Sequence, residues 1–336
     1  MKSLVCITPG TFEYTNAEMP VAGKGETLLR IQRIGICGTD LHAFEGTQPY
    51  FQYPRILGHE LAAEIVTTEA EGFTAGEAVT IIPYFNCGTC VACRKGKPNC
   101  CAQIKVCGVH VDGGMREYLV VPDYSLVKSE GLSWDELALV EPLAIGAHAI
   151  RRAAVEKEDV VLVIGAGPIG LGTMEFARIA GAKVIGMDIN PQRLDFCKEK
   201  LNVTYTVNAM DADAAEQIKN ITNGDMADVV IDCTGNLRAI NGMINYLAHG
   251  GRAVLVGLQK EAFAFNHPEF HKRESTLMSS RNATREDFDH VVLSMKKGLV
   301  NPATYITHRL DFDKVAERFK ELLDPANGVI KAMISL

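Results

Sequence analysis

The pattern of apolar and polar positions changes near residue 155. Before it, short stretches of β character at 27–34, 61–66, 78–82 and 117–121 are separated by turn-rich loops such as Asp112-Gly113-Gly114. That half is expected to be mostly β. From Val160 the pattern alternates: strand at 160–164, helix to Ala180, strand at 183–188, helix from Pro191, strand at 229–232, helix from Asn236, strand at 253–257. Such alternation predicts an α/β fold with a parallel, doubly wound sheet covered by helices on both faces. Asn190-Pro191 supplies an N-cap followed by proline at the first helical position. Ser133-Trp134-Asp135-Glu136 has capping-box spacing, and Glu141-Pro142 is expected to interrupt that helix and start another. The last stretch reads as helix at 284–297 and 314–323, then strand at 329–334. No repeat or low-complexity linker separates the halves.

At 336 residues the chain is long enough for about two domains, each with its own core. Lys and Arg number 34 against 41 Asp and Glu, a net charge of −7, so no positive excess attracts nucleic acid or an anionic membrane. Hydrophobic content of 47% with 22% charged residues excludes the composition of a disordered chain. The apolar stretch at 4–7 is broken by Thr8-Pro9-Gly10, too short for a signal-peptide core. The longest uncharged run, between Asp159 and Glu175, carries four glycines and Pro168 and falls short of the ~20 apolar residues of a membrane span. A cytoplasmic protein is expected. Its ten cysteines are then thiols or metal ligands rather than disulfides.

Cys87-x2-Cys90-x2-Cys93-x7-Cys101 lies in a loop punctuated by Gly88, Gly96 and Pro98. Four thiolates close a tetrahedral shell around Zn²⁺ with no open position, a structural site that supplies folding energy to a loop lacking a core. Cys100 adjoins Cys101, and spacing alone does not separate them. Cys6, Cys107, Cys197 and Cys233 are isolated and read as small buried hydrophobes.

Gly165-Ala166-Gly167-Pro168-Ile169-Gly170 follows a strand and opens a helix, the context in which such a motif is informative. The first glycine permits the turn, the second lets backbone approach a pyrophosphate, and the third packs helix against strand, with phosphates on the helix N-terminus. Asp188 ends the next strand, where a carboxylate can accept from the adenosine ribose and repel a 2′-phosphate, favouring NAD over NADP. Arg193 is the counter-indication and stays among the candidate cofactor residues: an arginine can accommodate a 2′-phosphate, although its place on the following helix turns it toward solvent.

A catalytic zinc takes three protein ligands and keeps one position open. Cys37 and His59 offer two, and Glu60 and Glu141 are both candidates for the third. Residue types and spacing leave that choice open.

In combination these segments resemble a known family. Cys37-Gly-Thr39-Asp40-x-His42, Gly58-His59-Glu60, the four-cysteine lobe, Glu141-Pro142 and the glycine motif, in that order, are similar over essentially the whole chain to the zinc-containing medium-chain dehydrogenase/reductases. Glu141-Pro142 resembles the sorbitol and threonine dehydrogenase branch. The segments 47–55, 108–114 and 280–284 resemble its sugar-acid oxidoreductases.

The resemblance implies a GroES-like catalytic domain at 1–150, completed by 286–336, and a Rossmann NAD-binding domain at 151–285. It implies one catalytic and one structural zinc, NAD as cofactor, and a homodimer or homotetramer. Catalytic zinc would sit on Cys37 and His59, with Glu141 as ligand or water-mediated partner and Glu60 able to exchange in. Asp40 would orient His59. Thr39 would bond the substrate alcohol, and His42 matches a proton-relay position. Met115 stands where relatives usually carry phenylalanine. The implied reaction oxidises a secondary alcohol of a sugar acid, an aldonate such as L-galactonate, with His110, Lys272 and Arg281 as candidate partners of its carboxylate. A polyol (sorbitol or galactitol) or L-threonine is the alternative substrate, and a non-catalytic nucleotide-binding sensor the alternative of another class.

Overall fold

The computed structural model describes residues 1–49 and 51–336. Tyr50, in the segment 47–55 that carries part of the resemblance, lies outside the described residues. The chain forms two compact units, Met1–Pro142 with Ala283–Leu336, and Leu143–Asn282. The first division falls inside the helix Trp134–Arg152, earlier than the expected break at 150.

In the first unit a seven-stranded sheet runs in the order Leu126–Lys128, Ala78–Ile81, Glu60–Thr67, Glu26–Ile36, Lys331–Ser335, Ile306–Asp311, with Tyr118–Pro122 also pairing with Glu26–Ile36. The C-terminal strand Lys331–Ser335 is thus inserted beside a strand from the N-terminal third of the chain, antiparallel to it, with Met333 opposite Gly35. On the other side of Glu26–Ile36, Gly35 faces Glu60. Leu29, Ile31, Ile34, Leu61, Ile65, Val79 and Ile81 are fully buried in one cluster, and burial of each such side chain contributes roughly 2 kcal/mol. The hairpin Lys2–Thr8/Thr11–Asn16 was not legible in the pattern; Arg55–Ile56 adds to it as a third strand. Its Phe12 stacks at 5.0 Å on Phe44, which also lies 5.0 Å from Phe319. This aromatic contact anchors the helix Gly38–Glu45, and with it Cys37 at its N-cap.

The second unit holds a six-stranded, wholly parallel sheet in the order Tyr205–Asn208, Lys183–Asp188, Val160–Ile164, Ala227–Asp232, Leu247–Leu255, Thr276–Ser279. Numbered along the chain this is 3-2-1-4-5-6, the doubly wound order whose reversal lies beside its first strand. The central strands are apolar throughout because helices cover both faces, and Leu162, Ile164, Ile185, Val230 and Ala253 form its core.

One local expectation fails. Pro142 does not break the helix: Trp134–Arg152 is continuous, with proline inside it. Leu137 to Leu143 are all buried, and that packing offsets the ~3 kcal/mol cost of a proline in a helix interior. The capping box at its start does form, Ser133 N–H donating to Glu136 at 2.7 Å and Glu136 N–H to Ser133 Oγ at 3.3 Å. No helix among the described residues is long and apolar enough to cross a membrane.

Candidate active site and metal centres

Cys37 caps the helix Gly38–Glu45, and His59 sits on the turn entering the strand Glu60–Thr67. That turn is shaped by glycines. Gly58 has φ +92°, a left-handed conformation, and the segment 108–114 packs so closely on it that a Cβ at Gly113 would lie 2.4 Å from the carbonyl oxygens of both Gly58 and Leu57. Gly114 N–H donates to Gly58 O at 2.9 Å. The glycines that carried part of the family resemblance therefore brace the backbone of a candidate ligand. Met115 beside them is fully buried in the core of this unit.

Ligand atoms of Cys37, His59 and Glu60 lie within 4.8 Å of one another. His59 is buried, and its Nδ1 has no hydrogen-bond partner. Burial lowers the basicity of the ring, but the nearby charges of Cys37 and Asp40 outweigh it and raise the His59 pKa well above its ordinary value. Thiolate, imidazole and carboxylate with an orphaned buried nitrogen form a donor set that fits zinc. Asp40 departs from the expected geometry. Its carboxylate accepts from the N–H groups of Cys37 at 2.9 Å and Gly58 at 3.1 Å, while its Oδ1 stands 3.9 Å from His59 Nδ1, beyond hydrogen-bond distance. It ties the Cys37 loop to the His59 turn.

Two carboxylates share this pocket of charge. Glu141, buried on the long helix, accepts a hydrogen bond from the Tyr84 hydroxyl; burial and the neighbouring Glu60 push its pKa up to about 7 against the favourable field of His59. Glu60 is held by Lys331, whose Nζ lies 2.6 Å from both of its oxygens. Neither Lys331 nor Tyr84 was among the sequence candidates. A signal for Lys331 existed: it is the one charge in the apolar run 329–334. Tyr84 had none beyond its nearness to the cysteine lobe.

Thr39 is half-buried on the first turn of the Cys37 helix, and His42 is exposed on the same helix with Nδ1 3.2 Å from Thr47 Oγ1. His110 is exposed and its Nδ1 accepts from Val106 N–H at 3.0 Å, so that side chain serves its own loop. Lys272 and Arg281 are exposed and belong to the second unit, Lys272 within 3.9 Å of Glu269.

The cysteine lobe brings Cys87, Cys90, Cys93 and Cys101 together with sulfurs within 4.8 Å of one another, and leaves Cys100 exposed outside. Cys87 and Cys101 are 3.5 Å apart, as are Cys90 and Cys93. Sulfurs of a tetrahedral zinc site with ~2.3 Å bonds lie about 3.8 Å apart, so four thiolates here fit that ion. Hydrogen bonds from the Thr89 hydroxyl and N–H and the Cys90 N–H pull the Cys87 thiol down to about 6, while burial pushes Cys93 up to about 12.

In the second unit Gly165 turns the chain out of Val160–Ile164 at φ +101°, Gly167 caps the helix Pro168–Ile179, and Pro168 and Ile169 form its first turn. A Cβ at Gly170 would lie 1.7 Å from Gly165 O, so only glycine allows this helix to sit on its strand. Asp188 accepts from Ala166 N–H at 2.6 Å and Asn190 N–H at 2.8 Å, which fixes its carboxylate at the end of its strand. Arg193 is half-exposed, yet its Nη1 reaches within 4.0 Å of Asp188.

Residues 23–131 match the alcohol dehydrogenase GroES-like domain, and 168–297 match the zinc-binding dehydrogenase domain. The chain belongs to the zinc-binding dehydrogenases. These are oxidoreductases acting on CH–OH donors. Among this dehydrogenase's relatives, the L-galactonate-5-dehydrogenase of Escherichia coli K12 is 43% identical over 100% of this chain and 99% of its own. A sorbitol dehydrogenase of Halalkalibacterium halodurans is 32% identical, covering 97% and 99%. A solved short chain alcohol dehydrogenase of Escherichia coli CFT073, complexed with NADH, superposes with TM-score 0.93 at 30% identity over 100% of this chain and 99% of that one.

Proposed function

We propose that this dehydrogenase oxidises a secondary alcohol of a sugar acid, an aldonate such as L-galactonate, with NAD as hydride acceptor. The observation that carries the chemistry is the group of half-buried Cys37 with buried His59 and Glu60, whose imidazole nitrogen is orphaned. The substrate class rests on the 43% identity to L-galactonate-5-dehydrogenase along the whole chain.

Cys37 and His59 would hold the catalytic zinc, with Glu141 as ligand or water-mediated partner and Glu60 able to exchange in, and Cys87, Cys90, Cys93 and Cys101 would hold the structural one. Bound zinc supplies Lewis-acid polarisation of the substrate hydroxyl, and NAD accepts the hydride. Thr39 receives the hydroxyl proton, and the exposed His42 passes it to solvent. With both groups bound, the alcohol would give up its hydroxyl proton and the carbinol hydride, and the product would be a ketone. Gly165, Gly167 and Gly170 admit the pyrophosphate to the helix N-terminus, and Asp188 holds the adenosine ribose. Residues 143–282 would thus be the NAD-binding unit and the rest the catalytic unit, in a cytoplasmic homodimer or homotetramer.

The test is NADH formation by zinc-replete protein across aldonates, polyols and L-threonine, repeated with NADP. Turnover on an aldonate with NAD, at least about tenfold faster than with NADP, is expected. Turnover on polyols or threonine alone rejects the substrate class. Silence on all of them with two zincs bound rejects catalysis in favour of a nucleotide-binding sensor.

A further inference from the structure

We propose that the side of the helix His267–Lys272 is a surface metal site, a clamp of two imidazoles made by His267 and His271 that takes a divalent cation of the nickel, copper and zinc class. It lies wholly in the second unit and shares no residue with the cysteine-bearing centres described above.

The spacing brings the rings together. Residues four apart stand one above the other on a helix, and the ring centres of His267 and His271 are 6.0 Å apart. With metal–nitrogen bonds of ~2.1 Å an imidazole centre lies about 3.2 Å from its ion, so two rings sharing one ion have centres about 5–6 Å apart. The pair already stands at that distance. Both side chains are exposed, and among the described residues neither ring has a hydrogen-bond or ion-pair partner. Other histidines use their nitrogens locally: His42 meets Thr47, His110 its own loop, and His308 Thr307.

A helix of six residues is marginal in water, and the rest of the unit holds this one in place. Phe270 stacks on Phe265 with ring centres 6.0 Å apart. Arg273, just past the last turn, donates to the Leu247 carbonyl at 3.1 Å, and its own carbonyl accepts from Gly250 N–H at 2.6 Å. Asn266 caps the start, accepting from Glu269 N–H at 3.3 Å. The backbone that carries the imidazoles is thus fixed before an ion arrives, and little ordering opposes binding. Glu269 also draws the two neighbouring cations to itself, Lys272 Nζ at 3.9 Å and the Arg273 guanidinium, away from the histidine face. Imidazole suits first-row ions from nickel to zinc, whereas Mg²⁺ and Ca²⁺ demand oxygen. Two protein donors leave the other positions to water, which makes the ion exchangeable.

The experiment is equilibrium dialysis of the zinc-replete chain against graded Zn²⁺, counting ions per chain in wild type, His267→Gln and His271→Gln. Wild type should take up one further zinc. Either substitution should weaken that uptake at least about tenfold, because two donors on one scaffold act as a chelate. The double variant His271→Gln/Lys272→His keeps the number of histidines but turns the second ring off the face, and it should bind as weakly as His271→Gln. Hydrogen exchange tests the clamp without any substitution: excess Zn²⁺ should slow exchange in the wild-type segment 267–275. Wild-type uptake by either single variant, rescue by the displaced histidine, unchanged exchange, or no further zinc on the wild-type chain each overturns the proposal. Uptake is read as a difference between chains, so the outcome stands whether the cysteine-bearing centres keep two zincs or one.

Discussion

Single side chains in this protein often serve two distant segments at once. Asp135 is an example: its carboxylate takes Arg309 Nη2 at 2.5 Å and Arg33 Nε at 3.1 Å, joining the start of the long helix to two strands of the seven-stranded sheet. The hydrogen bond and charge of Arg309, aided by Arg33, hold its pKa below the usual carboxylate value against partial burial. A depressed folded-state pKa contributes stability above the unfolded value of about 4 and loses it as pH falls through the folded value. Asp135→Asn should therefore lower unfolding free energy by roughly 1 kcal/mol at pH 7, the cluster being partly exposed, and by much less at pH 3. Urea melts at the two pH values check this; an equal deficit at both would show that charge is not the cause. The place of Asp188 at the end of its strand was legible at this scale because an apolar run closing on a carboxylate marks that end. Lys331 and Tyr84 were not, since a residue 271 positions from its partner leaves no local pattern.

At the scale of elements, the glycine motif separates packing from ligand approach. Gly170 has no room for a methyl group, whereas at Gly167 the nearest atom to an added Cβ is the flexible Arg193 Nη1 at 4.0 Å. Gly170→Ala should cost about 1–3 kcal/mol of stability, because the obstructing atom is a backbone oxygen. Gly167→Ala should leave stability within about 0.5 kcal/mol and weaken NAD binding alone. Thermal melts with cofactor titration separate the two; matching thermal losses would refute the division. Strands at 160–164 and 183–188 were legible to the residue, since buried parallel strands read as unbroken apolar runs bounded by turns. The helix through Pro142 was not. Local chemistry argued for a break, and the burial of both its flanks decided otherwise.

In the molecule as a whole, two cores sustain the two units, and the cysteine lobe belongs to neither. Its helix Val91–Arg94 buries no residue, so its order depends on what the four sulfurs hold. Cys90→Ser should lower the thermal midpoint and lose one zinc, as a structural metal supplies folding energy. Cys37→Ser should abolish turnover, lose the other zinc and leave the midpoint close to wild type. The same loss of structure in both variants, followed by circular dichroism and metal analysis, would contradict the split into structural and catalytic sites.

By itself the sequence determined the α/β class, the alternation of strand and helix in 160–257, the glycine turn and the set of cysteine and histidine candidates. Each is a local matter: hydrophobic period, turn chemistry and ligand spacing act over a few residues and leave their mark there. Tertiary structure alone decided that Cys101 rather than Cys100 joins the lobe, that Asp40 bonds backbone instead of the His59 ring, and that Glu60 faces an ammonium from the far end of the chain. Those outcomes depend on which strands lie side by side. The register that puts Met333 and Glu60 on opposite sides of Gly35 is set by burial of the whole sheet, a property no short segment possesses.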